Sequence, residues 1–317
     1  MSTGVFVGVD IGGSKVLAAE VAESGAVLRT ARRTTPGRRV EARLVEEALT
    51  EAVHEVADGR SLAGVGLAAA GFVDAATERV VFAPHLPWRG DPVRSRLEQL
   101  WGVPVALDND ANCAARAELR YGAARGVADA VLVTMGTGIG GALVLDGRVH
   151  RGRNGLAGEF GHMQVVPDGR ECECGGRGCW EQYSSGNALV RRARSRLGVE
   201  PTMLEEMCEG VPERLVGPMV TEAAEAGDLV ARQAFASVGD WLGVGLANLV
   251  AAFDPDLVVV GGGVSAAGDR LLDPARAALD RSLVAAPHRR IPPLLRARFG
   301  PEAGVVGAAD LARAAAA

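Results

Sequence analysis

Four residues that can bind a metal lie close together in a glycine-rich stretch of this 317-residue chain, residues 158–183. Three thiols, those of Cys172, Cys174 and Cys179, follow His162 in a segment without helical or strand periodicity. This set matches the four ligands of a tetrahedral structural zinc, and thiolate and imidazole favour zinc over magnesium or calcium. The spacing differs from the commoner C-x2-C pairs, and a disulfide between two of the cysteines is the alternative. We predict a zinc site that holds this loop in shape.

A second polar cluster follows an apolar run and opens an alanine-rich segment. Four of the five residues 108–112 are acidic or amide residues. Helix capping is the simplest explanation, but it accounts for one such residue and not for four. The carboxyl end of a strand that meets a helix N-terminus is where open α/β sheets bind ligands. The cluster, with Asn109 and Asp110, therefore predicts a ligand site.

Three glycine-rich turns are spaced along the chain. In the first two, an apolar run lies on each side of the turn, which predicts strand–turn–strand hairpins. Glycine lets backbone N–H groups approach phosphate oxygens, and Asp10 at a strand end could bind magnesium through water. Gly136–Gly141 resembles a Rossmann fingerprint but precedes a strand instead of a helix, and no Walker A sequence is present. The residues of the first turn are Asp10, Gly12, Gly13, Ser14 and Lys15, those of the second are Gly136, Thr137 and Gly138, and those of the third are Gly261, Gly262 and Gly263. For the third turn, the sequence fits either a site for adenosine or a plain turn.

The remaining periodicity predicts a mainly parallel sheet covered by helices, because strands and helices alternate. The two hairpins repeat one design, at residues 5–22 and again from residue 128. Helices are predicted at 38–57, 91–101, 185–197, 220–226, 229–253 and 304–315, and further strands at 64–70, 103–107 and 257–264.

Composition narrows the class of protein. Hydrophobic residues make up 48% of the chain and aromatic residues only 4%, so small aliphatic side chains must fill the core. A net charge of −5 argues against a nucleic-acid partner that relies on a basic surface. No run of 18 apolar residues and no signal peptide are recognised, so we expect no membrane partner. Five cysteines, three of them clustered, fit a reducing compartment, and we expect a cytoplasmic protein.

The motifs GEFGH, CECGGRGCWEQYSSG and DIGGSK resemble the ROK family of bacterial sugar kinases, and most closely its actinobacterial-type ATP-dependent glucokinases. The resemblance runs over nearly the whole chain. It implies an α/β fold of the actin-like ATPase (ribonuclease H-like) type, duplicated, with two lobes around a central cleft. Residues 1–107 would form the smaller lobe, joined by a C-terminal helix at about 300–317, and residues 108–299 the larger lobe with the zinc loop. A homodimer or homotetramer is expected.

The same resemblance implies a reaction and its residues. ATP with magnesium would phosphorylate the 6-hydroxyl of glucose, with Asp110 as the base that accepts the proton. The glycine turns would bind the nucleotide, and His162, Cys172, Cys174 and Cys179 would bind structural zinc. Sugar contacts are expected from Ala70, Gly71, Asn109, Asp110, Glu159, His162 and Glu181.

Other functions remain open at this stage. Another hexose, such as N-acetylglucosamine, mannose or fructose, could replace glucose, and polyphosphate could replace ATP as the phosphoryl donor. A sugar-responsive repressor of the same family would carry a helix-turn-helix domain ahead of the fold. The first glycine turn begins at about residue 10, which leaves no room for such a domain.

Overall fold

The computed structural model describes residues 4–316. The β-strands are β1 Val5–Ile11, β2 Lys15–Val21, β3 Val27–Thr34, β4 Leu62–Ala69, β5 Phe72–Val73, β6 Val80–Phe82, β7 Val105–Asn109, β8 Ala130–Met135, β9 Ile139–Leu145, β10 Arg148–His150, β11 Leu257–Gly261 and β12 Leu294–Arg296. The α-helices are α1 Ala42–Ala57, α2 Val93–Trp101, α3 Asp110–Tyr121, α4 Gly186–Arg194, α5 Leu204–Met207, α6 Gly217–Ala226, α7 Leu229–Phe253, α8 Asp269–Ser282 and α9 Ala303–Ala316.

The first sheet has the strand order β3-β2-β1-β4-β7. Strands β3, β2 and β1 form antiparallel pairs, whereas β1, β4 and β7 are parallel. Most apolar side chains of β1 and β4 are buried, whereas Phe6, Leu62 and Ala63 are half-buried. Parallel pairing with buried strands is the arrangement that the βαβ pattern predicts.

The second sheet has the order β10-β9-β8-β11-β12. It repeats the design of the first: an antiparallel pair of β10 with β9, and parallel pairs of β8 with β11 and of β11 with β12. The same connectivity in both sheets confirms the predicted duplicated α/β fold.

Two compact units share the chain. The first contains residues 1–129, 142–158 and 301–317, and the second contains residues 130–141 and 159–300. The C-terminal helix α9 lies in the first unit, where it packs on β1, β4 and α3. Residues 108–129 and 142–158 also lie in the first unit, whereas the prediction assigns them to the larger lobe. The boundaries of the lobes remain a prediction.

Helix α7 forms the centre of the second unit. Asp228 caps it, because its Oδ1 accepts a hydrogen bond from the Ala231 amide at 2.9 Å. By length and composition α7 could cross a membrane, but 61% of its most apolar 18-residue window is buried inside the protein. Burial of this extent is the property of a core helix.

Around α9, neighbouring backbone segments pack directly against one another at glycine residues, without large side chains between them. A Cβ built on Gly66 would lie 1.8 Å from the Ala308 carbonyl oxygen, and one on Gly8 would lie 1.9 Å from that of Val305. A Cβ on Gly307 would lie 1.7 Å from the Cys113 carbonyl oxygen, on helix α3. Glycine at these positions lets α9 pack directly on the sheet and on α3, which explains how a chain with few aromatic residues fills this core.

We expect Gly66→Ala to destabilise the first unit. The added methyl meets helix backbone and not a flexible side-chain end, so α9 must move, and overpacking of this kind costs about 1–3 kcal/mol or more. Denaturant unfolding measures the change. Gly217→Ala is the control, because nothing lies within 4 Å of its Cβ position. Equal stability of the two variants would contradict the packing argument.

Candidate active site

The four predicted metal ligands come together in the second unit. The ligand atoms of His162, Cys172, Cys174 and Cys179 all lie within 4.8 Å of one another. The Sγ atoms of Cys174 and Cys179 are 3.6 Å apart, and Cys172 Sγ is 3.7 Å from His162 Nδ1. Tetrahedral zinc with bonds of about 2.3 Å to sulfur and 2.0 Å to nitrogen places its ligand atoms roughly 3.5–3.8 Å apart. The donor set therefore fits zinc in its chemistry, two of its ligand-atom distances match this spacing, and all five cysteines are free of disulfides.

Two carboxylates lie on either side of His162. Glu181 Oε1 is 3.7 Å from His162 Nδ1 and 3.1 Å from Cys172 Sγ. Glu159 Oε2 is 3.9 Å from the other ring nitrogen, Nε2. Because Nδ1 faces the thiols, it is the nitrogen placed to bind the metal, and Nε2 is directed toward Glu159. The structure thus brings together the predicted metal ligands and two of the predicted sugar contacts.

Trp180 anchors the loop that carries the candidate metal ligands, a role that the sequence analysis missed. Its indole is fully buried, and its Nε1 donates to the Trp241 carbonyl of α7 at 2.7 Å. A Cβ on Gly245 of α7 would lie 2.0 Å from the indole, so the glycine leaves the space that the ring occupies. The Trp180 amide also donates a hydrogen bond to the Met163 carbonyl at 2.8 Å, which ties this loop to the segment that carries Glu159 and His162. Glu181 is therefore held from two sides, by the Trp180 anchor and by the cysteine cluster.

The polar cluster at residues 108–112 lies in the first unit where the chain turns directly from β7 into α3, with residues 108 and 109 at the end of the strand and residues 110–112 at the start of the helix. Asn109 is the N-cap of α3: its Oδ1 accepts from the amides of Ala111 at 2.8 Å and Asn112 at 3.2 Å. Its Nδ2 donates to the Gly71 carbonyl at 3.1 Å. Capping and this loop contact therefore occupy the side-chain oxygen of Asn109 and one of its two side-chain N–H groups. Asp110 follows as the first residue of α3 and is half-buried.

Burial raises the pKa of Asp110, and the hydrogen bond from the Ala111 amide partly opposes that shift. The pKa of Asp10 is raised to about 7, first by burial and then by the negative charge of Asp110, while Lys15 lowers it. A buried carboxylate whose pKa is raised by burial and by a second negative charge favours binding of a divalent cation, since a cation compensates that charge. Asp10 therefore fits the predicted role of magnesium ligand.

The first glycine turn joins β1 to β2. Its backbone is closed by the Gly12 amide, which donates to the Lys15 carbonyl at 3.0 Å. Nothing lies within 4 Å of a Cβ on Gly12, whereas one on Gly13 would lie 2.5 Å from His85 Cβ. Gly12 is thus open to a ligand, and Gly13 gives way to the His85 side chain. Ala70 lies beside this turn, with its amide donating to the Ile11 carbonyl at 3.0 Å.

The second and third glycine turns lie side by side in the second unit. A Cβ on Gly262 would lie 2.4 Å from the Met135 carbonyl oxygen, directly before Gly136, and its φ of +81° requires glycine. The predicted strand 257–264 therefore ends at Gly261 instead. Nothing lies within 4 Å of a Cβ on Gly136 or Gly263, so these two positions are open. The Gly136 and Thr137 carbonyls accept from the first amides of α4, at 2.8 and 3.2 Å.

Gly138 lies against Glu181, a contact that the sequence did not indicate. A Cβ on Gly138 would lie 2.3 Å from Glu181 Oε2, and this same oxygen accepts from the Ile139 amide at 3.4 Å. The predicted phosphate turn and a predicted sugar contact are therefore coupled through one carboxylate.

If Glu181 makes the sugar contact that the family resemblance implies, Gly138→Ala should weaken glucose binding by about 10–100-fold, the value of one lost charged hydrogen bond. The new methyl displaces only the end of the Glu181 side chain, so the fold should persist. Calorimetric titration with glucose in the absence of ATP measures the effect. Gly136→Ala is the matched control, because its Cβ position is open. Unchanged affinity in Gly138→Ala would contradict the role of Glu181.

Comparison with known proteins places this geometry in a family. The sequence matches the ROK family over residues 6–315. It is 41% identical over 313 residues to a glucokinase of Streptomyces coelicolor, covering 98% of each chain. The structure superposes with a TM-score of 0.91 on a ROK family glucokinase from Streptomyces griseus in complex with glucose and AMPPNP, at 44% identity, over 98% of this chain and 100% of that one. A ROK hexokinase from Thermus thermophilus gives a TM-score of 0.73 at 35% identity, over 97% of both chains. The chain with this cysteine–histidine cluster, this duplicated fold and these glycine turns belongs to the ROK family.

Proposed function

We propose that this protein is an ATP-dependent glucokinase that phosphorylates the 6-hydroxyl of glucose. The hydroxyl oxygen attacks the γ-phosphorus of ATP, the bond from that phosphorus to the β–γ bridging oxygen breaks, and ADP leaves. The hydroxyl proton goes to the Asp110 carboxylate. The products are glucose 6-phosphate and ADP.

Asp110 is the base of this proposal because of its position and its surroundings. It follows strand β7 at the start of α3, where Asn109 fixes the turn. Ionised aspartate accepts a proton, and in phosphoryl transfer the main contribution of such a residue is to orient the nucleophile. Burial raises its pKa toward neutrality, which improves its match to a proton acceptor near pH 7. Asn109 contributes its remaining amide proton to the sugar, and Ala70 and Gly71 contribute backbone next to it.

Glu159, His162 and Glu181 bind sugar hydroxyls in the second unit. Carboxylates accept hydrogen bonds from hydroxyl groups, and His162 Nε2 lies on the Glu159 side of the ring, away from the thiols. The arrangement therefore offers several hydrogen-bonding groups of fixed position, as a polyhydroxylated ligand requires.

The nucleotide is bound by the glycine turns. In the first unit, Gly12, Gly13, Ser14 and Lys15 present backbone N–H groups and one ammonium to the phosphates; in the second unit, Gly136, Thr137 and Gly138 do so, with Gly261, Gly262 and Gly263 beside adenosine. Asp10 would hold magnesium directly or through water, and the ion would neutralise phosphate charge when ATP is bound. His162, Cys172, Cys174 and Cys179 would hold zinc, which would have a structural role because the four residues supply the full ligand count of a structural site.

The observation that carries the proposal is Asp110 at the start of α3, whose negative charge also raises the pKa of Asp10, in a fold that closely matches a glucokinase solved with glucose and a nucleotide analogue. The direct test uses two coupled assays. One detects ADP, with glucose, N-acetylglucosamine, mannose and fructose each offered with ATP. The other detects glucose 6-phosphate, with glucose offered with either ATP or polyphosphate, because polyphosphate releases no ADP. We expect glucose with ATP to give the highest kcat/KM. A higher value for another sugar or for polyphosphate would replace that part of the proposal, and binding of glucose without any turnover would favour a sugar-sensing protein.

A further inference from the structure

Asp108, two residues before the proposed base, carries a buried negative charge that the proposed mechanism does not use. Its carboxylate is 3% exposed and forms an ion pair with Arg151. Arg151 directs both Nε, at 3.0 Å, and Nη2 to the same oxygen, Oδ2. The other oxygen, Oδ1, accepts from the Asn109 amide and from Asn112 Nδ2, both at 2.9 Å. One carboxylate thus connects an arginine of a distant loop to the turn that carries Asp110.

Arg151 is held in place by the loop that it begins. Its carbonyl accepts from the Ala157 amide at 3.0 Å, which closes the loop of residues 151–157. Gly155 in this loop has a φ of +82°, and a Cβ there would lie 2.1 Å from the Val73 carbonyl oxygen. The loop therefore packs against strand β5, directly after Gly71.

These contacts form a closed circuit around the turn. Arg151 binds Asp108, Asp108 binds the Asn109 amide, the Asn109 side chain binds the Gly71 carbonyl, and β5 after Gly71 packs against the loop of Arg151. A turn fixed at both its backbone and its cap has little freedom to reorient. Because a misplacement of about 1 Å at a reacting group can cost roughly 10²-fold in rate, such a circuit has a direct catalytic use.

We propose that Arg151 and Asp108 are positioning residues that hold the β7–α3 turn, and with it Asp110, in the geometry needed for proton transfer. This inference rests on the proposed function of Asp110. A buried carboxylate that loses its cation is left uncompensated, and it then protonates or turns toward water. Either change weakens the hydrogen bonds that Oδ1 accepts from Asn109 and Asn112.

The test compares Arg151→Met with Arg116→Met. Arg116 is a matched control: it lies on α3, its side chain is 31% exposed against 29% for Arg151, and it pairs with Asp310 at 2.6 Å. Arg116 takes part in none of the contacts described above that hold the β7–α3 turn. Arg151→Met should lower kcat about 10–100-fold, and it should raise the glucose dissociation constant by a smaller factor, because Asn109 in the same turn is also a proposed sugar contact. Arg116→Met should leave kcat within about threefold at a comparable loss of Tm.

Two further variants separate positioning from folding. Arg151→Lys should restore kcat to within about fivefold of wild type, because both guanidinium contacts go to one oxygen that a single ammonium can also reach. Gly155→Ala, which adds no group near Asp110, should lower kcat as Arg151→Met does, since its methyl displaces the loop from Val73. A Lys variant no better than the Met variant would overturn the proposal.

Amide hydrogen exchange tests the turn independently of activity. Exchange of the segment 108–112 should be at least about tenfold faster in Arg151→Met than in wild type, and unchanged in Arg116→Met. Equal exchange in the two Met variants overturns the inference, and so does faster exchange without loss of kcat. If the wild-type protein phosphorylates no sugar, the proposed function fails, and the exchange result alone decides whether the pair holds the turn.

Discussion

Replacing Asp110 by asparagine is expected to lower kcat by about 10²–10⁴-fold while glucose binding stays within a few-fold of wild type. An amide can still hydrogen-bond the hydroxyl, but it cannot accept its proton. The helix start should persist, because an asparagine Oδ1 can accept from the Ala111 amide as Asp110 does at 2.9 Å. The measurement is kcat in the coupled assay, together with calorimetric glucose binding. A variant that keeps more than about a tenth of the wild-type kcat would show that Asp110 is not the base.

Stability provides the control for this variant. Because burial raises the folded-state pKa of Asp110, the charged form is favoured less in the folded state than in the unfolded chain. The carboxyl therefore contributes stability that is present below its unfolded pKa and is lost as the pH rises through the raised folded pKa. At pH 7 the neutral Asp110→Asn variant should have a Tm no lower than that of wild type. A large fall in Tm would mean that a loss of activity reflects unfolding.

The pH profile of kcat/KM should follow the same carboxylates. Proton acceptance needs the ionised form of Asp110, so activity should fall as the pH is lowered, and at a higher pH than the usual value of about 4 for aspartate. Asp10, with a pKa of about 7, interacts with Asp110, so the apparent value belongs to the pair. A profile that falls only at the usual aspartate value of about 4 would contradict the raised pKa of Asp110.

Cys174→Ala is expected to lower zinc content and glucose affinity together, the latter by at least about 10–100-fold. The structural reason is the short distance from the cluster to the proposed sugar contacts: Cys172 Sγ lies 3.1 Å from Glu181 Oε1, and His162 is itself one of the four candidate ligands. Without zinc, the loop keeps the Trp180 anchor but loses the order of its cysteine side. Metal analysis of the purified protein and calorimetric glucose titration are the measurements.

Cys208→Ala is the control for this prediction, at a cysteine outside the cluster. Cys208 is buried, whereas Cys174 is exposed, and the Cys208 thiol contacts the Glu205 carbonyl. It should lose packing energy while keeping about one zinc per chain and wild-type glucose affinity. A fully active protein with no zinc would refute the structural role of the metal. Loss of zinc without loss of glucose affinity would refute the coupling to Glu181.

Local signals in the sequence predicted much of the fold. Alternating apolar runs and glycine turns gave both hairpins, and Asp228 correctly marked the start of α7. Helix starts without such a signal were misplaced: Glu41, before α1, makes no side-chain cap, and the predicted start at residue 38 is four residues early. Helix α6 begins at Gly217 and not at residue 220, because proline in the first turn of a helix is tolerated.

The sequence by itself determined the candidate chemistry: the zinc ligand set, the glycine turns and the Asn109–Asp110 pair are all contiguous or nearly so in the chain. Only the tertiary structure decided which of these groups touch. Gly138 meets Glu181, 43 residues separate Arg151 from Asp108, and α9 packs on Gly8 and Gly66. The physical reason is that a periodic pattern records which face of an element is buried, but not which distant residue fills the space against it. A glycine that admits a carboxylate, an indole or a helix has the same letter as one in a plain turn, and packing alone tells them apart.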